Sequence, residues 1–203
     1  MIVGGGRVGK LTAKRLEDDL NIKLLESDKQ RCSELTNFLS DTMIINADAR
    51  NVDLLEEEGI KDMDAFIAVT DNTETNILTC LQAKSFGVKR TIAMVENIDY
   101  IDISQNIGID TIINKKLIAA SYMVRYTLGG NVSSLKCLSG IDADIVEFVV
   151  RDGAEVTNRP INRLDMPDGA IIGGIIRGED SYIATGNFQI QAEDRVVVLV
   201  LPK

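Results

Sequence analysis

The sequence predicts an α/β protein: a Rossmann-like, doubly wound parallel sheet followed by a small α+β domain with an antiparallel sheet. Three observations carry this reading. Short apolar runs alternate with helical patterns through the first half, as βαβ units require. A glycine-rich turn, Gly4-Gly5-Gly6-Arg7-Val8-Gly9, joins the first apolar run to the first helical one. From about Ser133 onward the pattern changes to β-rich runs separated by Gly, Pro, Asn and Asp, which are turn residues.

In chain order, Met1–Gly4 is an apolar strand stub, Arg7–Glu17 a helix and Ile22–Glu26 a strand. Lys29–Leu39 reads as a helix with Leu35, Phe38 and Leu39 on one face. Thr42–Asn46 is a strand, and Asn51–Glu58 is a short helix stopped by Gly59. Ala65–Thr70 is a strand, Thr73–Phe86 a helix ended by Gly87, and Arg90–Val95 a strand. Ile98–Ile107 is helical up to Gly108, and Thr111–Asn114 is a sixth strand. Lys115–Leu128 is a helix whose apolar residues point all around its axis, so burial on more than one side is expected. Gly129-Gly130-Asn131 breaks it. The runs Ile145–Val150, Ala170–Ile176, Ser181–Ala184 and Arg195–Leu201 are strands of the second domain, with one helical turn at Asn162–Leu164. The expected organisation is 1–114, a connector at 115–132, and 133–203.

Composition narrows the function classes. Hydrophobic residues make up 45% of the 203 and aromatics only 4%, with no Trp, so the cores are built from aliphatic side chains, as in a buried parallel sheet. The net charge of −9 opposes a phosphate backbone, and nucleic acid is not an expected partner. No apolar run has the length of a membrane span, and no signal-peptide pattern opens the chain. Any role at a membrane then runs through a partner, without direct insertion. The absence of His removes the commonest general base and most zinc sites. Cys32, Cys80 and Cys137 are scattered, without a CxxC pair, and read as core residues of a reducing compartment. No catalytic or metal set emerges. The acidic runs Glu17-Asp18-Asp19 and Glu56-Glu57-Glu58 read as solvated faces.

The chemistry-bearing signal is Gly4, Gly6 and Gly9 in G-x-G-x-x-G spacing, after a strand and opening a helix, with Glu26 closing the next strand 20 residues beyond Gly6. Gly4 allows the tight turn, Gly6 lets backbone approach a pyrophosphate, and Gly9 lets helix and strand pack closely. The helix N-terminus offers amides to phosphate. Arg7 sits in this loop beside Val8, either pairing with phosphate or standing solvated. Glu26 suits a ribose diol and repels a 2′-phosphate, favouring NAD(H) over NADP(H). Asp48 and Ala49 follow the third strand, near an adenine, with an Asx turn or helix cap as the simpler role for Asp48. Thr70 and Asp71 follow the fourth strand at the switch between sheet halves. Thr70 is the better ligand contact, and Asp71 with Glu74 fits a capping box.

Taken together, these residues resemble the TrkA family, the regulatory subunit of bacterial Trk potassium uptake, within the wider group of RCK (KTN) domains. The resemblance rests on Ile2-Val3-Gly4-Gly5-Gly6-Arg7-Val8-Gly9, Leu24-Leu25-Glu26, Ala47-Asp48-Ala49, Ala68-Val69-Thr70-Asp71-Asn72 and Glu74-Thr75-Asn76. In the second half it rests on Asn158-Arg159-Pro160-Ile161, Pro167-Asp168-Gly169, Ile176-Arg177-Gly178 and Asp194-Arg195-Val196-Val197-Val198. Where many relatives carry an Arg in the fifth strand, this chain reads Thr91-Ile92-Ala93-Met94.

The resemblance implies a regulatory subunit rather than an enzyme, binding NAD(H) or the adenine nucleotides ATP and ADP. It further implies homodimers or larger rings formed through the Lys115–Leu128 crossover helix, a membrane potassium transporter subunit as partner, and a cytoplasmic location at the inner face of the plasma membrane. Many members are tandem, with two such halves in one polypeptide, and the expectation is that this chain is an excised second half. Two other readings stay open at this level: an NAD-dependent oxidoreductase, and a regulatory module of a potassium efflux system or channel.

Overall fold

The structure, a computed structural model, describes residues 1–127, 132–137 and 143–201, with the backbone alone at 125 and 132–137. Leu128, the Gly129-Gly130-Asn131 break and the Cys137 side chain lie outside what is described. The chain forms two compact units, Met1–Lys115 and Lys116–Lys203.

The first unit carries six parallel strands: β1 (Ile2–Val3), β2 (Ile22–Glu26), β3 (Thr42–Asn46), β4 (Ala65–Ala68), β5 (Arg90–Met94) and β6 (Thr111–Ile113). Their order is β3-β2-β1-β4-β5-β6, which reverses direction between β1 and β4. The connecting helices are α1 (Arg7–Leu16), α2 (Lys29–Thr36), α3 (Val52–Glu57), α4 (Thr73–Ser85) and α5 (Asp99–Asn106). Strand side chains alternate between faces. Val3, Leu25, Phe66 and Ala68 pack into one buried cluster, with Leu55 and Ile60. Ile2 and Leu24 pack into the other, with Ala13 and Leu35. Phe66 is fully buried, a contribution of about 2–3 kcal/mol relative to exposure.

Asx side chains start three of the helices. Asp28 accepts from Arg31 N at 2.9 Å, Asn51 from Leu54 N at 3.4 Å, and Asn72 from Thr75 N at 2.6 Å. The cap of α4 is therefore Asn72 and not Asp71, because it is the Asn72 oxygen that reaches the third amide of the helix.

Two further expectations are corrected. Glu17 is not a solvated residue: it is 4% exposed. Its Oε1 pairs with Lys14 at 2.6 Å, while Oε2 accepts from Ser40 N and Asp41 N at 3.1 Å and from Thr42 Oγ1 at 3.0 Å. It pins the entry to β3. Helix α2 stops at Thr36, so Phe38 leaves the Leu35 face and lies exposed under the Lys10 ammonium, 3.8 Å from the ring centre.

Helix α6 spans Lys115–Thr127. Leu117, Ile118, Tyr122, Met123, Val124 and Tyr126 are between 42% and 77% exposed. The all-round burial predicted for this helix is not met within one chain.

The second unit holds a five-stranded antiparallel sheet in the order β10-β9-β11-β8-β7. Its strands are β7 (Val132–Cys137), β8 (Asp144–Val149), β9 (Ala170–Arg177), β10 (Asp180–Ile183) and β11 (Arg195–Val200). Strand β7 carries no clear apolar run, and the sequence reading missed it. Val197 pairs with Gly174 but Val198 with Ile172, so Gly173 is the extra residue of a β-bulge. Short 3₁₀ turns lie at Glu155–Thr157 and Ile161–Arg163, and Ala154, Ile161 and Leu164 beside or within them pack against a core of Val150, Ile175, Ile190, Val196 and Val198. Asp194 is fully buried and receives a two-pronged contact from Arg177, 2.7 Å on each oxygen, plus the Gln191 amide at 2.8 Å. Those contacts hold the Asp194 carboxyl below its ordinary value.

Candidate functional site

The site forms where the strand order reverses, at the carboxyl ends of β1 and β4, which is where open α/β sheets bind ligands. β1 ends at Val3 and the chain turns through Gly4 at φ +101°, a conformation that disfavours side chains. A Cβ on Gly4 would stand 2.9 Å from Thr70 N. Gly9 is constrained by space: a Cβ there would fall 1.9 Å from Gly4 O. Gly6 differs from both. It caps α1 with no side-chain hydrogen bond, and nothing lies within 4 Å of where its Cβ would be. The backbone at Gly6 faces open space.

That space is a cleft with two lobes that share Gly6, Arg31, Val69 and Asp71. One lobe, of about 430 Å³, runs over the ends of β1, β2 and β3 and is lined by Glu26, Ser27, Ala47, Asp48, Ala49 and Thr70, among others. The other, of about 420 Å³, runs past the start of α1 and is lined by Arg7, Val8, Lys10, Met94 and Lys115, with Glu34 and Leu35. All ten sequence-predicted residues therefore gather in one place. Gly4, Glu26, Asp48, Ala49 and Thr70 line the first lobe, Arg7 and Val8 the second, Gly6 and Asp71 both, while Gly9 packs behind the loop.

Glu26 is 6% exposed and already engaged. Its Oε2 accepts the Gly5 N–H at 2.7 Å, and its Oε1 accepts the Asp28 N–H at 2.9 Å. Ser27 Oγ also donates to Oε1 at 3.3 Å; a carboxylate offers about four lone-pair sites, so one acceptor position remains. Asp48 forms the Asx turn, accepting from Arg50 N at 2.9 Å, and its carboxylate is gripped by the Arg50 guanidinium with a shortest contact of 2.6 Å. Those side-chain bonds hold its carboxyl below the ordinary value. Ala49 is buried beneath it.

Sequence reasoning missed the residues that hold the far wall. Asn76, 1% exposed, takes the Thr70 N–H at 2.9 Å and the Thr70 hydroxyl at 2.6 Å on its oxygen. Its amide nitrogen donates to Thr70 O at 3.0 Å and to Met94 O at 2.8 Å. One side chain thus ties the β4 loop to the end of β5. The signal was an amide on the same helix face as Thr73, Thr79, Cys80 and Ala83, all of them buried. Asn114 does the same between β6 and β5, donating to Val95 O at 2.8 Å and Glu96 O at 3.2 Å. Beside it, the Lys115 ammonium lies 2.5 Å from Glu96. Arg31, on α2, was also missed, having been read only as part of a helix.

Cys32 and Cys80 are buried free thiols. Burial raises both, Cys80 to about 12, which leaves them protonated and unreactive at neutral pH.

The strand order and the glycine loop at its switch point define a Rossmann-like domain, here joined to a separate antiparallel β domain. The family follows from comparison with known proteins. Residues 1–115 match the TrkA-N domain and residues 145–203 the TrkA-C domain. The Trk system potassium uptake protein TrkA homolog 1 of Methanosarcina mazei is 32% identical over 200 residues, 98% of this chain and 45% of that protein. TrkA of Vibrio alginolyticus is 34% identical over 206 residues, 100% of this chain and again 45% of that protein. The chain belongs to the TrkA family and spans about half the length of these curated relatives.

Among solved structures, the GsuK channel bound to NAD superposes with a TM-score of 0.62 at 14% identity, covering 98% of this chain and 36% of that one. The TrkA-N domain of the inner membrane protein ybaL from Escherichia coli gives 0.56 at 19%, covering 62% of this chain and 93% of that one. These two likenesses concern the fold.

Proposed function

We propose that this chain is a nucleotide-responsive regulatory module of a potassium-uptake system, acting without catalysis of its own. The observation that carries this reading is the two-lobed cleft straddling Gly6. Its two lobes of similar volume, meeting at a helix N-terminus, suit an adenine nucleotide whose phosphates cross the glycine loop. NAD(H) is the ligand put forward, with ATP or ADP as the alternative. Relatives named for Trk uptake, and a fold neighbour whose structures carry NAD and ADP, support the same direction.

In this reading the adenosine lies over β1–β3. Glu26 accepts from the ribose hydroxyls, Asp48 and Ala49 border the base, and the amides at Gly6–Val8 meet the phosphates. Thr70 and Asp71 close the opposite side, held by Asn76. Residues 1–114 bind the ligand, 115–132 connect and dimerise, and 133–203 form the small sensing domain. The exposed apolar side chains of α6 meet those of a second copy, in a homodimer or ring, since such a stripe is seldom left bare. Ligand binding shifts the assembly between two arrangements to which it has different affinity. A membrane potassium transporter subunit at the cytoplasmic face reads that shift. No described helix is long and apolar enough to cross a membrane itself.

Calorimetric titration of the purified protein with NADH, NADPH, ADP and ATP tests the ligand. Binding of NADH ahead of NADPH, weakened by Glu26→Ala, is expected. Preference for ATP would move the signal to energy charge, and no binding by any nucleotide would overturn the reading.

A further inference from the structure

Arg31 sits where the two lobes meet. Of the four residues that line both lobes, it alone carries a positive charge. Its guanidinium is half exposed, and its Nη1 lies 3.8 Å from Glu26 Oε2, too far for a hydrogen bond. Among the described residues no hydrogen bond from that guanidinium is made, while its backbone N–H is fixed by the Asp28 cap at 2.9 Å. The side chain is thus anchored at its root and loosely held at its tip.

Glu26 does not need it. Both carboxylate oxygens are already bonded to the Gly5 and Asp28 amides. Moving the guanidinium away leaves no buried charge without donors.

We propose that Arg31 is a phosphate clamp: on ligand binding its guanidinium leaves Glu26 and grips the phosphate chain from the side opposite the α1 N-terminus. This rests on the nucleotide reading above and deepens it. The phosphates at the waist would then be held from two directions, by backbone amides at Gly6–Val8 and by a planar fork of donors from α2. A guanidinium suits this because it meets two phosphate oxygens at once. It also supplies a cation close to the loop, which the Thr91-Ile92-Ala93-Met94 run of β5 does not.

The test compares ligands with and without phosphate. Adenosine, ADP and NADH are titrated calorimetrically into the wild-type protein, Arg31→Ala and Arg31→Lys, with circular dichroism checking that all three fold alike. Expected is a loss of about 10- to 100-fold in ADP and NADH affinity for Arg31→Ala, partial recovery with Lys, and unchanged adenosine binding. If Arg31→Ala binds ADP and NADH as the wild type does, or loses adenosine equally, the clamp is wrong while the nucleotide site stands. If the wild-type protein binds none of the three, the site itself fails and the clamp with it.

Discussion

Glu26 and Gly5 are joined by a 2.7 Å hydrogen bond from the Gly5 amide to the Glu26 carboxylate. The residue expected to face a ribose therefore also closes the loop expected to face the phosphates. Glu26→Ala leaves the Gly5 and Asp28 amides without their acceptor, at a cost of about 1–3 kcal/mol. It should lower the denaturant midpoint as well as nucleotide affinity. Glu26→Gln keeps one acceptor oxygen and should lie between the two. A Glu26→Ala protein of unchanged stability would show that the brace contributes nothing.

Gly6 and Gly9 should separate cleanly. Gly9→Ala drives a Cβ to within 1.9 Å of Gly4 O, so the loop must move, at a cost of about 2 kcal/mol or more. Gly6→Ala meets nothing in the protein within 4 Å and should cost less than about 1 kcal/mol. Its methyl group would stand in the cleft, so nucleotide affinity should fall. Thermal unfolding and titration, run on both variants, distinguish the two roles.

Asn76→Ala removes four hydrogen bonds at once and leaves the Thr70 amide and the Met94 carbonyl unpaired. A destabilisation of about 2–4 kcal/mol is expected. Because Thr70 and Met94 belong to different lobes of the cleft, ligand affinity should fall as well. Equal stability to the wild type in a urea titration would refute this role.

Acid should unfold the first unit through two carboxylates. Glu17 is lowered from 4.5 to about 2, chiefly by its bond from Lys14, and Asp110 from 3.8 to about 2, chiefly by its bond from Lys84. Both are depressed in the folded state, so their contributions are complete above about pH 4.5. They are lost as pH falls, and are gone below about pH 2. Glu17→Gln and Asp110→Asn should flatten the pH dependence of the unfolding midpoint in that window and leave its slope near neutral pH unchanged.

Much of this fold was legible because its signals are local. The alternation of apolar runs with helical patterns marks βαβ units wherever it occurs, and the glycine spacing marks the turn at Gly4–Gly9. Charges were the weak point. Glu17 opens an acidic run and reads as solvent-facing, yet it is buried because three donors from Ser40, Asp41 and Thr42 converge on it. Strand β7 escaped notice because it lacks an apolar run of its own and is defined by pairing with β8.

The sequence alone determined the α/β class, the position of the glycine loop and the acid at the end of β2, since each depends on residues close together in the chain or on their spacing. Tertiary structure decided which partners those residues have. Asn76 reaches across 18 positions to Met94, and Arg177 across 17 to Asp194. Arg31 and Lys115 arrive at one cleft from different helices. A side chain's pattern reports the face it occupies, whereas the group opposite it is set by how strands and helices meet in space.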